Sequence, residues 1–193
     1  RSEHCPGVIY DEAQHEQNRA SRLPSNFLWF NDDDVAKYGR KTKAYIKQGE
    51  SQELDKRYKC RIRKPWFKVP SVYSTEIGLL KRSSDMPRLI HNKLGAYTTD
   101  TAYRISVTNG VPTSTLVFCF INALTALSAE LEGRHYGGGV LELVPSEIEN
   151  LKIPITKKIR PSLKLLDKQF KSRMPVEDIL NIQGKKVLSN IGI

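Results

Sequence analysis

The sequence predicts an α+β fold, with a mixed, mainly antiparallel sheet, helices packed on it and a helical C-terminal tail. Three observations carry that expectation. Residues 58–107 fall into period-two and β-branched runs, the signature of a sheet. Leu116–Leu131 is the most apolar segment and is long enough for a helix buried on most sides, and beyond Thr156 the chain turns to Lys-rich amphipathic segments.

Taken in order, the first thirty residues read as a short strand near Gly7–Tyr10, a polar helix opening at Asp11 as N-cap, and an aromatic strand over Asn26–Phe30. Asp32, Asp33 and Asp34 precede a Lys-rich stretch containing Val35, Tyr38, Ala44, Tyr45 and Ile46. Acids at its start and Lys47 near its end suit a helix macrodipole, so this segment is expected to be a helix ending at Gly49. The three Asp residues are read as solvated caps rather than metal ligands. Strands are expected over Arg61–Val69, Glu76–Arg82, Arg88–Asn92 and Thr98–Val107. Turn chemistry divides them, at Pro70-Ser71, at Ser83-Ser84-Asp85 with Pro87, and at Lys93-Leu94-Gly95.

Pro112-Thr113-Ser114 introduces the apolar helix, and Gly133 ends it. Gly137-Gly138-Gly139 opens the alternating strand Val140–Val144, and the glycines are read as a tight helix-to-strand passage needing positive backbone angles, which shapes the turn so that Arg134 and Tyr136 project toward nucleic acid. Pro145 closes that strand, Ser146 with Glu149 makes a capping box for a short helix, and Ile153-Pro154 stops it. Composition then divides the chain at residue 156. Residues 157–193 form a separate basic tail, with Leu163, Leu166, Phe170, Ile179, Leu180 and Val187 as contact faces. Its cations Lys157, Lys158, Arg160, Lys164, Lys168, Lys171 and Arg173 suit either a solvated helical face or contact with DNA or a partner.

Charge speaks to partners. The 193 residues carry 31 Lys and Arg against 21 Asp and Glu, a formal net charge of +10, which favours an anionic partner. A membrane span is excluded as a reading, since the longest apolar stretch is interrupted by Asn122, Thr125 and Ser128. The N-terminus shows no basic-then-apolar targeting pattern, so the chain is read as soluble and cytoplasmic. Cys5, Cys60 and Cys119 are an odd, scattered set that suits reduced thiols and cannot complete a zinc site.

The densest charge lies between Lys56 and Lys68. Lys56, Arg57, Lys59, Arg61, Arg63, Lys64 and Lys68 surround Tyr58, Trp66 and Phe67 without one acidic residue. Guanidinium and ammonium groups neutralise phosphates, and flat rings stack on bases, so this run points to nucleic acid. An exposed strand edge guarded by charge would show the same cations, but interspersed acids would be expected there. Arg57, Lys59, Arg61, Arg63, Lys64 and Lys68 are the expected phosphate contacts. Trp66 suits either a stacking platform or core packing beside Phe67.

No catalytic constellation is visible. The chain has no Gly-x-x-x-x-Gly-Lys, no His-Glu-x-x-His and no Gly-x-Ser-x-Gly, and its acids are scattered outside the Asp32 group. His4, His15, His91 and His135 occupy unrelated contexts and read as structural or surface residues. Neither catalytic, cofactor-binding nor metal-binding residues are therefore expected in this chain.

Several stretches in order resemble a known family. They are Arg1-Ser2 with Gly7-Val8-Ile9-Tyr10, Tyr45-Ile46-Lys47-Gln48-Gly49-Glu50, Arg57-Tyr58-Lys59-Cys60-Arg61 with Pro65-Trp66, and Pro87-Arg88-Leu89-Ile90-His91-Asn92. Leu127-Ser128-Ala129-Glu130-Leu131-Glu132-Gly133-Arg134-His135-Tyr136-Gly137-Gly138-Gly139, running on to Pro154, is the most telling. Over residues 1–156 the chain is similar to the C-terminal specificity, or target recognition, domain of TaqI-like adenine-specific DNA methyltransferases.

The resemblance implies that a catalytic half, holding S-adenosylmethionine and an Asn-Pro-Pro-Tyr loop for the flipped adenine, precedes residue 1 in a restriction-modification enzyme. No Pro-Pro pair occurs here. Double-stranded DNA is the implied partner, with Arg88, Asn92, Arg134 and Tyr136 as candidates nearest the bases. The alternatives are a specificity subunit, a stand-alone nucleic-acid binding module, or part of a fused restriction and modification nuclease.

Overall fold

A computed structural model describes residues 2–108, 110–156 and 158–192. The chain folds into two compact units, one made of Arg1–Ser25 with Tyr73–Ile193 and the other of Asn26–Val72. This division does not follow the change in composition at residue 156.

The larger unit opens with strand β1 (Ile9–Tyr10) and helix α1 (Glu12–Ala20), which Asp11 caps by accepting from Gln14 N–H at 3.0 Å. Its main sheet runs β1-β4-β2-β5, with β2 at Ile77–Leu80, β4 at Leu89–Asn92 and β5 at Ala102–Ile105. β1 is parallel to β4, and both neighbours of β2 are antiparallel to it. As an inner strand, β2 reads Ile-Gly-Leu-Leu, and Ile77 and Leu79, two residues apart and so on one face, are fully buried. A second, antiparallel sheet runs β3-β7-β6, from Arg82–Ser83, Val140–Glu142 and Arg134–Tyr136.

The apolar segment is two helices, α4 (Thr113–Cys119) and α5 (Ala123–Glu132), meeting at 75°. Asn122 makes the break. It is fully buried with an extended backbone, and its side chain accepts from Thr125 N–H at 2.9 Å while donating to the Cys119 carbonyl at 2.7 Å. A short amide that bonds its own backbone competes with continued helix, which is how a polar residue inside an apolar run becomes an N-cap. Among the described residues no single helix is long and apolar enough to cross a membrane.

Gly133 ends α5, but Gly137–Gly139 do not lead from helix to strand. They turn the hairpin between β6 and β7, with Gly138 and Gly139 at φ 82° and 73°. The following helix α6 (Pro145–Asn150) has Pro145 at its first position, and Glu147 accepts from Val144 N–H at 2.7 Å. The expected box of Ser146 and Glu149 is thus displaced, because Pro145 itself begins the helix.

The C-terminal segments belong to the same core. Helix α7 (Leu163–Lys171) contributes Leu163, Leu166 and Phe170 to the cluster that holds Val8, Ile77, Phe118 and Leu143. α8 (Val176–Ile179), a π-helical stretch (Leu180–Gly184) and α9 (Lys185–Ser189) add Ile179 and Val187. Asp167 pins α7 to the start of the chain. Its Oδ1 accepts from Val8 and Ile9 N–H, both at 2.9 Å, and its Oδ2 pairs with Lys171 Nζ at 2.8 Å. A Cβ on Gly7 would lie 2.1 Å from Asp167 Oδ1, so only glycine lets the carboxylate approach. Gln183 donates to Gln169 at 2.8 Å, and both are buried. The amphipathic faces were visible in the sequence, but their partner surface, formed by β1 and α4, lies more than a hundred residues upstream in the case of β1.

The unit Asn26–Val72 contains a 3₁₀ turn (Val35–Lys37), helix α2 (Arg40–Ser51) and the helical turn α3 (Tyr58–Arg61). Two expected strands do not form. Asn26–Phe30 is irregular, and its Phe30 ring is spent on Tyr38 and Phe67 edge-on, at 5.9 and 5.7 Å between centroids. Arg61–Val69 begins in α3 and continues as irregular chain through Pro65, whose missing N–H cannot join a ladder. The Asp-rich helix also starts later than expected. Asp34 caps only the 3₁₀ turn, accepting from Ala36 N–H at 2.8 Å, and Gly39 separates that turn from α2. α2 then runs past Gly49, where a Cβ would lie 2.5 Å from Trp66 Cη2. Gly49 admits an indole instead of ending the helix.

Candidate functional site

The small unit concentrates the charge. Its 47 residues hold twelve Lys and Arg against six Asp and Glu, so six of the ten net positive charges sit there. The acids are already occupied in part. Asp32 pairs with Lys37 at 3.2 Å, Glu53 with Lys56 at 2.6 Å, and Asp33 with Lys68. Glu50 accepts from Trp66 Nε1 at 3.3 Å.

These pairings sort the expected contacts. Among the described residues no carboxylate lies within ion-pair distance of Arg57, Lys59, Arg61, Arg63 or Lys64, and all but the half-buried Arg63 are exposed. Lys68 differs from them, because Asp33 neutralises it. Trp66 is half-buried, seated on Gly49 with Phe67 edge-on at 5.9 Å, which makes it part of the unit's small core with Phe67 and Ile46. Tyr58, by contrast, is exposed, and the Arg61 guanidinium lies over its ring at 5.6 Å.

Four more candidates lie in the larger unit, and the structure treats them as two pairs. Arg88 donates from Nε to the Gly7 carbonyl at 3.2 Å and from Nη2 to that of Pro6 at 3.1 Å, with its guanidinium 5.0 Å from the Phe170 ring centroid. Burial holds its pKa below the usual arginine value, as befits a cation used to tie segments together. Asn92 donates to the carbonyls of Thr75 and Ala96 and accepts from Ala96 N–H, each at 2.9 Å. Both of its amide hydrogens are thereby committed, so it clips a turn. The expectation of base contact for Arg88 and Asn92 meets side chains already engaged inside the fold.

Arg134 and Tyr136 are placed otherwise. Both are exposed on β6, beside the glycine turn. Arg134 Nε bonds Glu147 Oε1 at 2.7 Å, and this partner raises the guanidinium pKa. The Tyr136 hydroxyl bonds Glu142, which raises the phenol pKa, and the Arg82 guanidinium lies 5.6 Å from its ring centroid. The hairpin thus carries a polar cluster of Arg82, Arg134, Tyr136, Glu142 and Glu147 at the protein surface. Arg82 and the two acids escaped the sequence reading, because nothing local in the sequence joins β3, β6 and α6.

Of the tail cations, Lys171 is used by Asp167, and Lys157 lies outside the described residues. Three of the four histidines take structural bonds. His4 Nε2 meets the Pro24 carbonyl at 3.0 Å, His15 Nδ1 the Tyr10 hydroxyl at 3.0 Å, and His135 Nε2 the Glu130 carbonyl at 2.9 Å. Among the described residues no three His, Cys, Asp or Glu side chains gather as a metal site. The glycine run Gly137–Gly139 turns a hairpin rather than opening a helix.

No curated protein and no solved structure matches the chain. The family model described as type II methyltransferase M.Eco57I, C-terminal domain, matches residues 1–188, which takes in the C-terminal helices as well as the segment expected from the resemblance. The chain belongs to this family of C-terminal domains of type II methyltransferases.

Proposed function

We propose that this domain grips double-stranded DNA and reads the target for an adenine-specific methyltransferase of a restriction-modification system. The observation that carries the reading is the group of five cations, Arg57, Lys59, Arg61, Arg63 and Lys64, which have no carboxylate partner among the described residues. Phosphates are their natural complement, since neutralising each one releases a condensed counterion. An adenine amine inside a duplex cannot be reached until its nucleotide rotates out of the stack, so the surrounding DNA must be held while an N-terminal catalytic domain works. That domain would carry S-adenosylmethionine and the transfer chemistry. Arg134 and Tyr136, exposed on the β6–β7 hairpin and bonded there to Glu147 and Glu142, are the candidates for base edges, because phosphate contacts position a duplex without specifying its sequence.

The test is charge reversal. Changing Arg61 and Arg63 together to Glu weakens binding to a duplex and flattens its salt dependence, and unchanged binding at low salt overturns the assignment. The chain by itself transfers no labelled methyl group to DNA, and measurable transfer would place catalytic residues here after all.

A further inference from the structure

Resting on that reading, we infer that Tyr58 and Ile62 form an apolar wedge that enters the base stack where the cations hold the backbone. Tyr58 lies at the start of α3 and Ile62 directly after its end, four residues apart and so on one face of the helical turn. They are 68 and 66 % exposed. A single exposed apolar side chain is ordinary on a protein surface, but these two share a turn whose neighbours are Arg57, Lys59, Arg61 and Arg63.

The turn itself is firmly built. Cys60 and Arg61 N–H both bond the Arg57 carbonyl, at 2.8 and 2.9 Å, and Arg63 N–H bonds that of Cys60 at 2.9 Å. Arg61 lies over the Tyr58 ring, so the ring's exposed part is presented by a cation that favours phosphate. Charge complementarity commits this face to nucleic acid rather than to an apolar protein surface, which would have to bury five cations that have no carboxylate partner among the described residues. Apolar side chains set among phosphate-binding cations are the arrangement by which proteins part a base step, trading the cost of unstacking for contact with a bent duplex. A parted step next to the target adenine also lowers the work of rotating that nucleotide outward.

The experiment uses the full chain and a closed circular plasmid, which offers every sequence step. The plasmid is relaxed by a topoisomerase with the protein bound, then stripped of protein, and its linking number is read on a gel. The wild-type chain lowers the linking number, because parting base steps unwinds the helix. Y58A/I62A binds the plasmid roughly ten- to a hundredfold more weakly. At saturating concentration that variant leaves the linking number unchanged, while its salt dependence stays that of the wild type. Both side chains are exposed, so its unfolding midpoint serves as the folding control, and I62L keeps the shift. A wild-type chain that binds without changing the linking number, or a double variant that still changes it, overturns the wedge and leaves the phosphate grip standing. Loss of all plasmid binding by the wild type would instead reject the DNA reading on which the wedge rests.

Discussion

The contrast between Lys64 and Lys68 gives the sharpest quantitative test of the basic run. Four residues apart in sequence, they look alike, yet Asp33 pairs with Lys68, and among the described residues no carboxylate reaches Lys64. Each phosphate neutralised contributes about −0.9 to the slope of log K against log salt on B-form DNA. If Arg57, Lys59, Arg61, Arg63 and Lys64 each hold one phosphate, the slope is about −4.5, and binding falls roughly 500-fold between 50 and 200 mM salt. K64A should bring the slope to about −3.6, whereas K68A should leave it near −4.5. D33N has the opposite sign. By releasing Lys68 it should steepen the slope by up to about 0.9. Fluorescence anisotropy of a labelled duplex, titrated at four or more salt concentrations, reads all four proteins. Equal slopes for K64A and K68A, or a flatter slope for D33N, would refute the pairing argument, because charge count alone would then govern binding.

Further expectations follow from the packing. D167A leaves the Val8 and Ile9 N–H groups without their acceptor in a buried site, which should cost about 3–5 kcal/mol in urea unfolding, and D167N, which keeps an acceptor oxygen, about half as much. A loss below about 1 kcal/mol for D167A would show that α7 is not pinned there. G49A drives a Cβ into the Trp66 ring and should destabilise the small unit by about 1–3 kcal/mol, read by Trp66 fluorescence in a W29F background. Burial pushes the Cys5 thiol up to about 12, so a thiol reagent at pH 9 should label Cys60 promptly and Cys5 only on unfolding. The same shift gives a sign for stability. The unfolded thiol ionises near 9 while the folded one stays protonated, so this group's contribution falls as pH rises from about 9 towards 12. Replacing Asn122 with Ala removes the α5 cap and leaves buried groups unpaired, and should cost about 2 kcal/mol or more by thermal unfolding.

The elements that the sequence made legible are those whose physics is local. Asp11 before a polar stretch, Gly133 after an apolar one, and the Leu89–Asn92 and Ala102–Ile105 strands all occur near their expected places, because caps and period-two patterns act over a few residues. Asn26–Phe30 and Arg61–Val69 misled for a shared reason: aromatic and β-branched residues suit a strand, yet here their rings close a small core around Ile46 and Phe67. Lys68 and Asn92 show the same limit at the candidate site. Their chemistry suits nucleic acid, but Asp33 and the Thr75 and Ala96 carbonyls, brought near by folding, claim it first.

The sequence by itself determined the α+β class, the excess of positive charge and where it is densest, since composition and short-range patterns suffice for these. Tertiary structure alone decided which cations stay unpaired, and it alone made the C-terminal helices part of the main core rather than an appendage. An ion pair or a buried hydrogen bond such as Val8 to Asp167 depends on distance in space. Residues 159 positions apart acquire that distance only when the chain has folded.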